Sequence, residues 1–135
     1  NSDNSYQNHY GDVKKWGSSD AYVDYLMPQI YYGFYNETQA FVSVLEEWEN
    51  LASASSVKLL PVLAFYKVGA VDMFAKSGSE EWINHDDIIM REIILTRNLK
   101  QYQGFSLFRY DYLFNPELET TTTMGEISNM KKILK

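Results

Sequence analysis

Cysteine is absent from this chain, which excludes disulfides, thiol nucleophiles and thiolate metal sites. Histidine is nearly absent too. His9 and His85 stand alone, with no HExxH spacing and no second ligand nearby, so no transition-metal site is expected. No GxGxxG, P-loop or GxSxG motif occurs, so no nucleotide cofactor and no serine-elbow chemistry is expected. No apolar run approaches the roughly 20 residues of a membrane span. The opening residues 1–5 are polar and lack the apolar stretch of a signal peptide. Positive charge is short: the net charge is −6, which argues against a nucleic-acid backbone or an anionic membrane surface as partner.

Aromatic residues are abundant. They make up 16% of the 135 residues, and 11 of them are tyrosine. An excess of amphipathic rings favours a recognition surface over a plain core. The most telling stretch is residues 24–35, DYLMPQIYYGFY. It reads as a buried strand over 23–32 whose C-terminal end opens into a polar, aromatic mouth. Sugars suit such a mouth, because they offer C–H faces to rings and hydroxyls to amides.

A helix–strand rhythm follows. Residues 1–11 read as a loop, and 12–22 as a short helix around Val13 and Trp16, stopped by Gly17. After the first strand, Thr38 is placed to cap a helix with Phe41, Val44, Leu45, Trp48 and Leu51 on one face. Residues 57–67 form a nearly continuous apolar run, as strands buried on both faces do. Asn84 or Asp86 would cap the next helix, with Ile88, Ile89, Ile93 and Leu95 inward. A third strand is expected over 103–110, a loop over Thr120–Thr123, and a last helix over 123–134. Such spacing suits βαβ crossovers with parallel neighbours. The length supports one domain, whereas a closed (β/α)₈ barrel takes about 250 residues. The expected fold is therefore α/β, a partial TIM-type barrel of about three parallel βα units.

Ligands gather at the C-terminal ends of parallel strands. Those ends carry Gln29, Tyr31, Tyr32 and Tyr35, then Tyr66 and Lys67, then Arg109, Tyr110 and Asp111. Alternation sets Met27, Gln29 and Tyr31 on one face, Phe65 with Lys67, and Phe108 with Tyr110. Each has a plainer reading. Gln29 can satisfy buried backbone groups, one of Tyr31 and Tyr32 must face a helix, Lys67 can be solvated, and Asp111 can cap its loop. Most glycosidases flank the scissile bond with two carboxylates roughly 5–9.5 Å apart. Glu46-Glu47 and Asp86-Asp87 read as solvated helix faces or caps. Only Glu37 and Asp111 fall near the mouth, and they are not expected to form such a pair.

The segments VDYLMPQIYYGF, VKLLPVLAFYKVG and QGFSLFRYDYLF, in that order, resemble the C-terminal part of the bacterial glycosyl hydrolase-like 10 family. The likeness runs over about residues 12–135, and PQIYY is its most specific part. It implies strands six to eight of a (β/α)₈ barrel acting on a polysaccharide such as cell-wall glycan, exported or attached to the cell surface. It implies substrate positioning for Gln29 through hydrogen bonds, for Tyr31 and Tyr110 through stacking or phenol contacts, and for Tyr66 and Lys67 at strand seven. No cofactor or metal is implied, and no catalytic acid or nucleophile is assigned. The family's acidic fourth-strand motif is not in this chain, so the chain alone is expected to be an inactive C-terminal fragment. Open strand edges would then drive homo-oligomerisation. Two other readings stand beside this one, a non-catalytic carbohydrate-binding module and a flavodoxin-like interaction domain.

Overall fold

The computed structural model describes residues 2–134. Helices α1 (Ser2–His9) and α2 (Val13–Gly17) lead into strands β1 (Tyr25–Leu26) and β2 (Gln29–Ile30). Then come α3 (Phe41–Ala52), β3 (Lys58–Leu59), β4 (Val62–Leu63), a 3₁₀ turn over Phe65–Lys67, α4 (Glu81–Asn84) and α5 (Ile88–Thr96). Strand β5 (Ser106–Leu107), α6 (Tyr110–Phe114) and α7 (Thr121–Ile133) complete the order. Residues 2–9 are thus helical rather than a loop. None of the helices is long and apolar enough to cross a membrane among the described residues.

All the strand pairs are parallel. β1 pairs with β3, and β2 pairs with β4, which pairs with β5. The expected first and second strands are each broken in two, and proline is the cause. Pro28 and Pro61 have no N–H to return across the ladder. Their carbonyls still accept, Pro28 O from Val62 N and Pro61 O from Ser106 N, both at 2.9 Å. The register of the first pair is continuous across the break, with Leu26 opposite Leu59 and Gln29 opposite Val62. The second pair slips by one residue. Leu59 faces Tyr102, but Val62 faces Ser106. The extra residue lies within 103–105, opposite Leu60 and Pro61, and Gly104 in that stretch is at φ +152°.

One face of this small sheet is packed. Ile30, Leu59 and Leu63 are buried under Phe41, Val44, Leu45 and Trp48 of α3 and Ile88, Ile89 and Ile93 of α5. The other face is open: Tyr25, Met27 and Gln29 are exposed, and Leu60 and Val62 are half-buried. Helix α3 starts later than a Thr38 cap would put it. Asn36 Oδ1 instead accepts from Thr38 N, Thr38 Oγ1 and Gln39 N, making an Asx turn before the helix. Asp87, rather than Asn84 or Asp86, precedes α5. Thr120 is the N-cap of α7 rather than part of a loop. It accepts from Thr123 N at 3.1 Å while Thr123 Oγ1 accepts from Thr120 N at 2.7 Å, a reciprocal capping box.

Candidate functional site

The C-terminal ends of the three strand lines meet in one aromatic cluster. Tyr31 follows β2 directly, Tyr66 lies in the 3₁₀ turn after β4, and Phe108 follows β5. Tyr31 and Tyr66 meet edge to face, with ring centroids 5.7 Å apart. Phe108 lies 5.5 Å from Tyr31 and 5.8 Å from Tyr66. Tyr112 of α6 joins Tyr66 at 6.2 Å, and the Arg109 guanidinium lies 5.7 Å from the Tyr112 ring. These are favourable aromatic and cation–π separations. Tyr66 N donates to Phe108 O at 3.0 Å, so backbone as well as rings tie the second strand end to the third.

The phenols stay protonated at neutral pH. Burial is the first cause raising Tyr31, Tyr32 and Tyr66 above the ordinary phenol value. Neighbouring Tyr66 adds to it for Tyr31, and the Asp72 carboxylate adds to it for Tyr32 and Tyr66. The cluster therefore offers neutral hydrogen-bonding groups and ring faces, not bases.

Two carboxylates shape the loops around this rim. Glu81 of α4 is buried, and its two oxygens accept from Phe34 N and Tyr35 N, each at 2.9 Å. A Cβ at Gly33 would strike the Glu81 carboxylate and displace it. The Arg91 guanidinium covers the Phe34 ring at 4.2 Å, and Phe41 N donates to Gly33 O at 3.0 Å. Asp72, also buried, pairs with Lys67 Nζ at 2.6 Å. Lys67 Nζ donates as well to Tyr31 O at 2.8 Å. A shallow cavity of about 220 Å³ lies beside this pair, between Tyr66, Lys67 and the 70–74 loop.

The strand-end residues expected to act together divide. Tyr31 and Tyr66 are in the cluster, and Lys67 holds the backbone beneath it. Gln29 is exposed on the open sheet face opposite Val62. Tyr110 does not share a strand face with Phe108. The strand stops at Leu107, and Tyr110 starts α6, 73% exposed, with its ring 4.7 Å from Phe114. Phe65 and Lys67 likewise lie in a 3₁₀ turn, where period-two alternation does not apply. Sequence reasoning missed Phe108 and Tyr112 as cluster members, and Glu81 and Asp72 as loop anchors. The signal available for Asp72 was its spacing of five from Lys67 around Gly69; nothing local marked Glu81.

The acids at the rim face cations: Asp72 faces Lys67, and Asp111 lies 3.4 Å from Arg109 Nε. The carboxyls pushed upward are Glu92 in α5, which feels both Glu81 and Lys67, and Glu126 in α7. They are buried in helix packing. Among the described residues, the aromatic cluster itself is made of rings and neutral phenols and holds no carboxylate.

The chain is similar in sequence to a glycosyl hydrolase. It is 26% identical over 117 residues to glycosyl hydrolase DigH of Escherichia coli O6:H1 (strain CFT073), across 85% of this chain. The chain spans 26% of that protein's length. No protein-family model matches. A larger, open groove of about 740 Å³ between α2 and α3, beside Lys15, Ser18 and Leu51, lies at the end of α3 away from the rim.

Proposed function

We propose that this chain is the C-terminal portion of a glycoside hydrolase barrel, strands six to eight of a (β/α)₈ fold, and that its aromatic rim positions a polysaccharide. The observation that carries this reading is the meeting of Tyr31, Tyr66 and Phe108 from three consecutive parallel strand ends. That is where α/β folds bind ligands. The likeness to a glycosyl hydrolase supports the class, and the 26% share of that protein's length supports the idea of a portion. The open face bearing Tyr25, Met27 and Gln29 then corresponds to the barrel interior. Gln29 on that face offers an amide to sugar hydroxyls, while Tyr66 offers a ring edge and a phenol. The larger protein acts at the cell surface or outside the cell.

For this chain by itself we propose binding without hydrolysis. Tyr66→Ala should weaken binding of a soluble β-linked oligosaccharide about tenfold, read by isothermal titration. Unchanged affinity would remove the rim from the site. The isolated chain should also self-associate, since a sheet of this size with one uncovered apolar face and free edges is a template for pairing. Size exclusion with light scattering reads this directly, and a stable monomer at high concentration counts against it.

A further inference from the structure

We propose that the tip of the 70–74 loop is the apolar wall of the glycan site, a platform for the C–H face of a pyranose ring; this rests on reading the rim as a glycan site. Loop tips are ordinarily polar or mobile. The surface of this one is largely apolar. Val71, Met73 and Phe74 are 54%, 80% and 83% exposed, while Asp72 between them is 4% exposed.

The buried carboxylate fastens the tip. Lys67 Nζ donates to Asp72 Oδ2 at 2.6 Å, and Phe74 N donates to Asp72 Oδ1 at 3.2 Å. Asp72 N donates to Ser79 O at 2.9 Å, and Ala75 N donates to Asp72 O at 3.0 Å. The same ammonium reaches Tyr31 O at the end of β2. One latch therefore joins the tip to the aromatic cluster. Such anchoring turns large apolar side chains outward and holds them there, which forfeits their burial unless something outside the chain covers them.

The occupant is indicated by what adjoins the tip. The cavity beside it continues to Tyr66 and Lys67. Met73 and Phe74 give an apolar surface, Tyr66 gives a neutral phenol, and Lys67 has one N–H left after its two bonds. An apolar wall beside a sparse set of hydrogen-bonding groups matches a pyranose, with its C–H face and its hydroxyl rim. Gly78 keeps the loop seated: a Cβ there would strike the backbone of Tyr35.

The test titrates the chain with two soluble probes, the β-1,4-linked hexamers of glucose and of N-acetylglucosamine. Phe74→Ala should weaken the tighter of the two about tenfold, and Phe74→Tyr should restore it. Both variants should melt with the unaltered chain, because the ring is exposed. If neither hexamer binds the unaltered chain, the glycan reading of the rim fails and this proposal with it. If a hexamer binds and Tyr66→Ala weakens it but Phe74→Ala does not, the platform alone is overturned. Loss of self-association in Phe74→Ala with affinity unchanged also overturns it, the tip then being a contact between copies.

Discussion

Glu81→Ala should destabilise the chain by about 4 kcal/mol, from two lost hydrogen bonds to a charged acceptor at roughly 1.5–3 kcal/mol each. The carboxylate is buried and holds Phe34 N and Tyr35 N at equal distances of 2.9 Å. Removal leaves two part-buried backbone donors without their acceptor. The loop between β2 and α3 then loses its anchor, and with it the approach of Arg91 to Phe34. Glu81→Gln keeps one good acceptor and should cost about half as much. Gly33→Ala should mimic the alanine variant, because its Cβ displaces the same carboxylate. Urea unfolding measures all three. A loss below about 1 kcal/mol in Glu81→Ala would mean that the loop is held by other contacts.

The chain should be more stable at pH 5 than at pH 8. Glu126 caps α5 from outside: its Oε1 accepts from Met90 N at 2.8 Å. Burial pushes its carboxyl up to about 7, partly opposed by the amide N–H groups of Met90, Ile89 and Ile88 and reinforced by Asp87. Glu92 on α5 is fully enclosed, and neither of its oxygens has a hydrogen-bond partner among the described residues. Burial first, then Glu126 and Glu81, raise it well above the carboxylate range against the pull of Lys67 and Arg91. The sign follows from which state holds the proton. Both groups bind a proton more tightly folded than unfolded, so folding is favoured while they are protonated. For Glu126 the contribution is complete below the unfolded value near 4.5 and is lost as pH rises through about 7, while for Glu92 it is lost as pH rises through its raised folded value. For Glu126 it amounts to about 3 kcal/mol. Glu126→Gln retains the acceptor and removes the charge, so it should flatten the profile and stabilise the chain at pH 8. Urea midpoints at pH 5, 6, 7 and 8 measure this. Stability that climbs across that window would contradict it.

The parallel order of the three strand lines was legible because apolar runs alternate with one-face helices such as α3, whose Phe41, Val44, Leu45 and Trp48 are all buried. The breaks in those strands were legible in principle from Pro28 and Pro61, but strong apolar patterning around them hid the cost of the missing N–H groups. The turn at Phe65–Lys67 was not legible. Aromatic residues favour strands, and only the long-range bond of Lys67 to Tyr31 O, beside its local pair with Asp72, reveals why the chain curls there. The same holds for Tyr110, whose place in α6 depends on where β5 ends. The α7 cap was local and readable: Thr120 and Thr123 stand at the capping-box spacing, with threonine in place of the usual Glu or Gln. Glu81 could not be foreseen, since its partners lie 46 and 47 residues away.

The rim itself rests on three aromatic side chains distant in sequence, each delivered by the end of a different strand line. A titration of the isotope-labelled chain with a soluble β-linked oligosaccharide, followed by backbone and aromatic chemical shifts, tests it most directly. Shifts concentrated on Tyr31, Tyr66, Phe108 and Tyr112 are predicted. Shifts confined to the groove between α2 and α3, around Lys15 and Leu51, or none at saturating sugar, would contradict it.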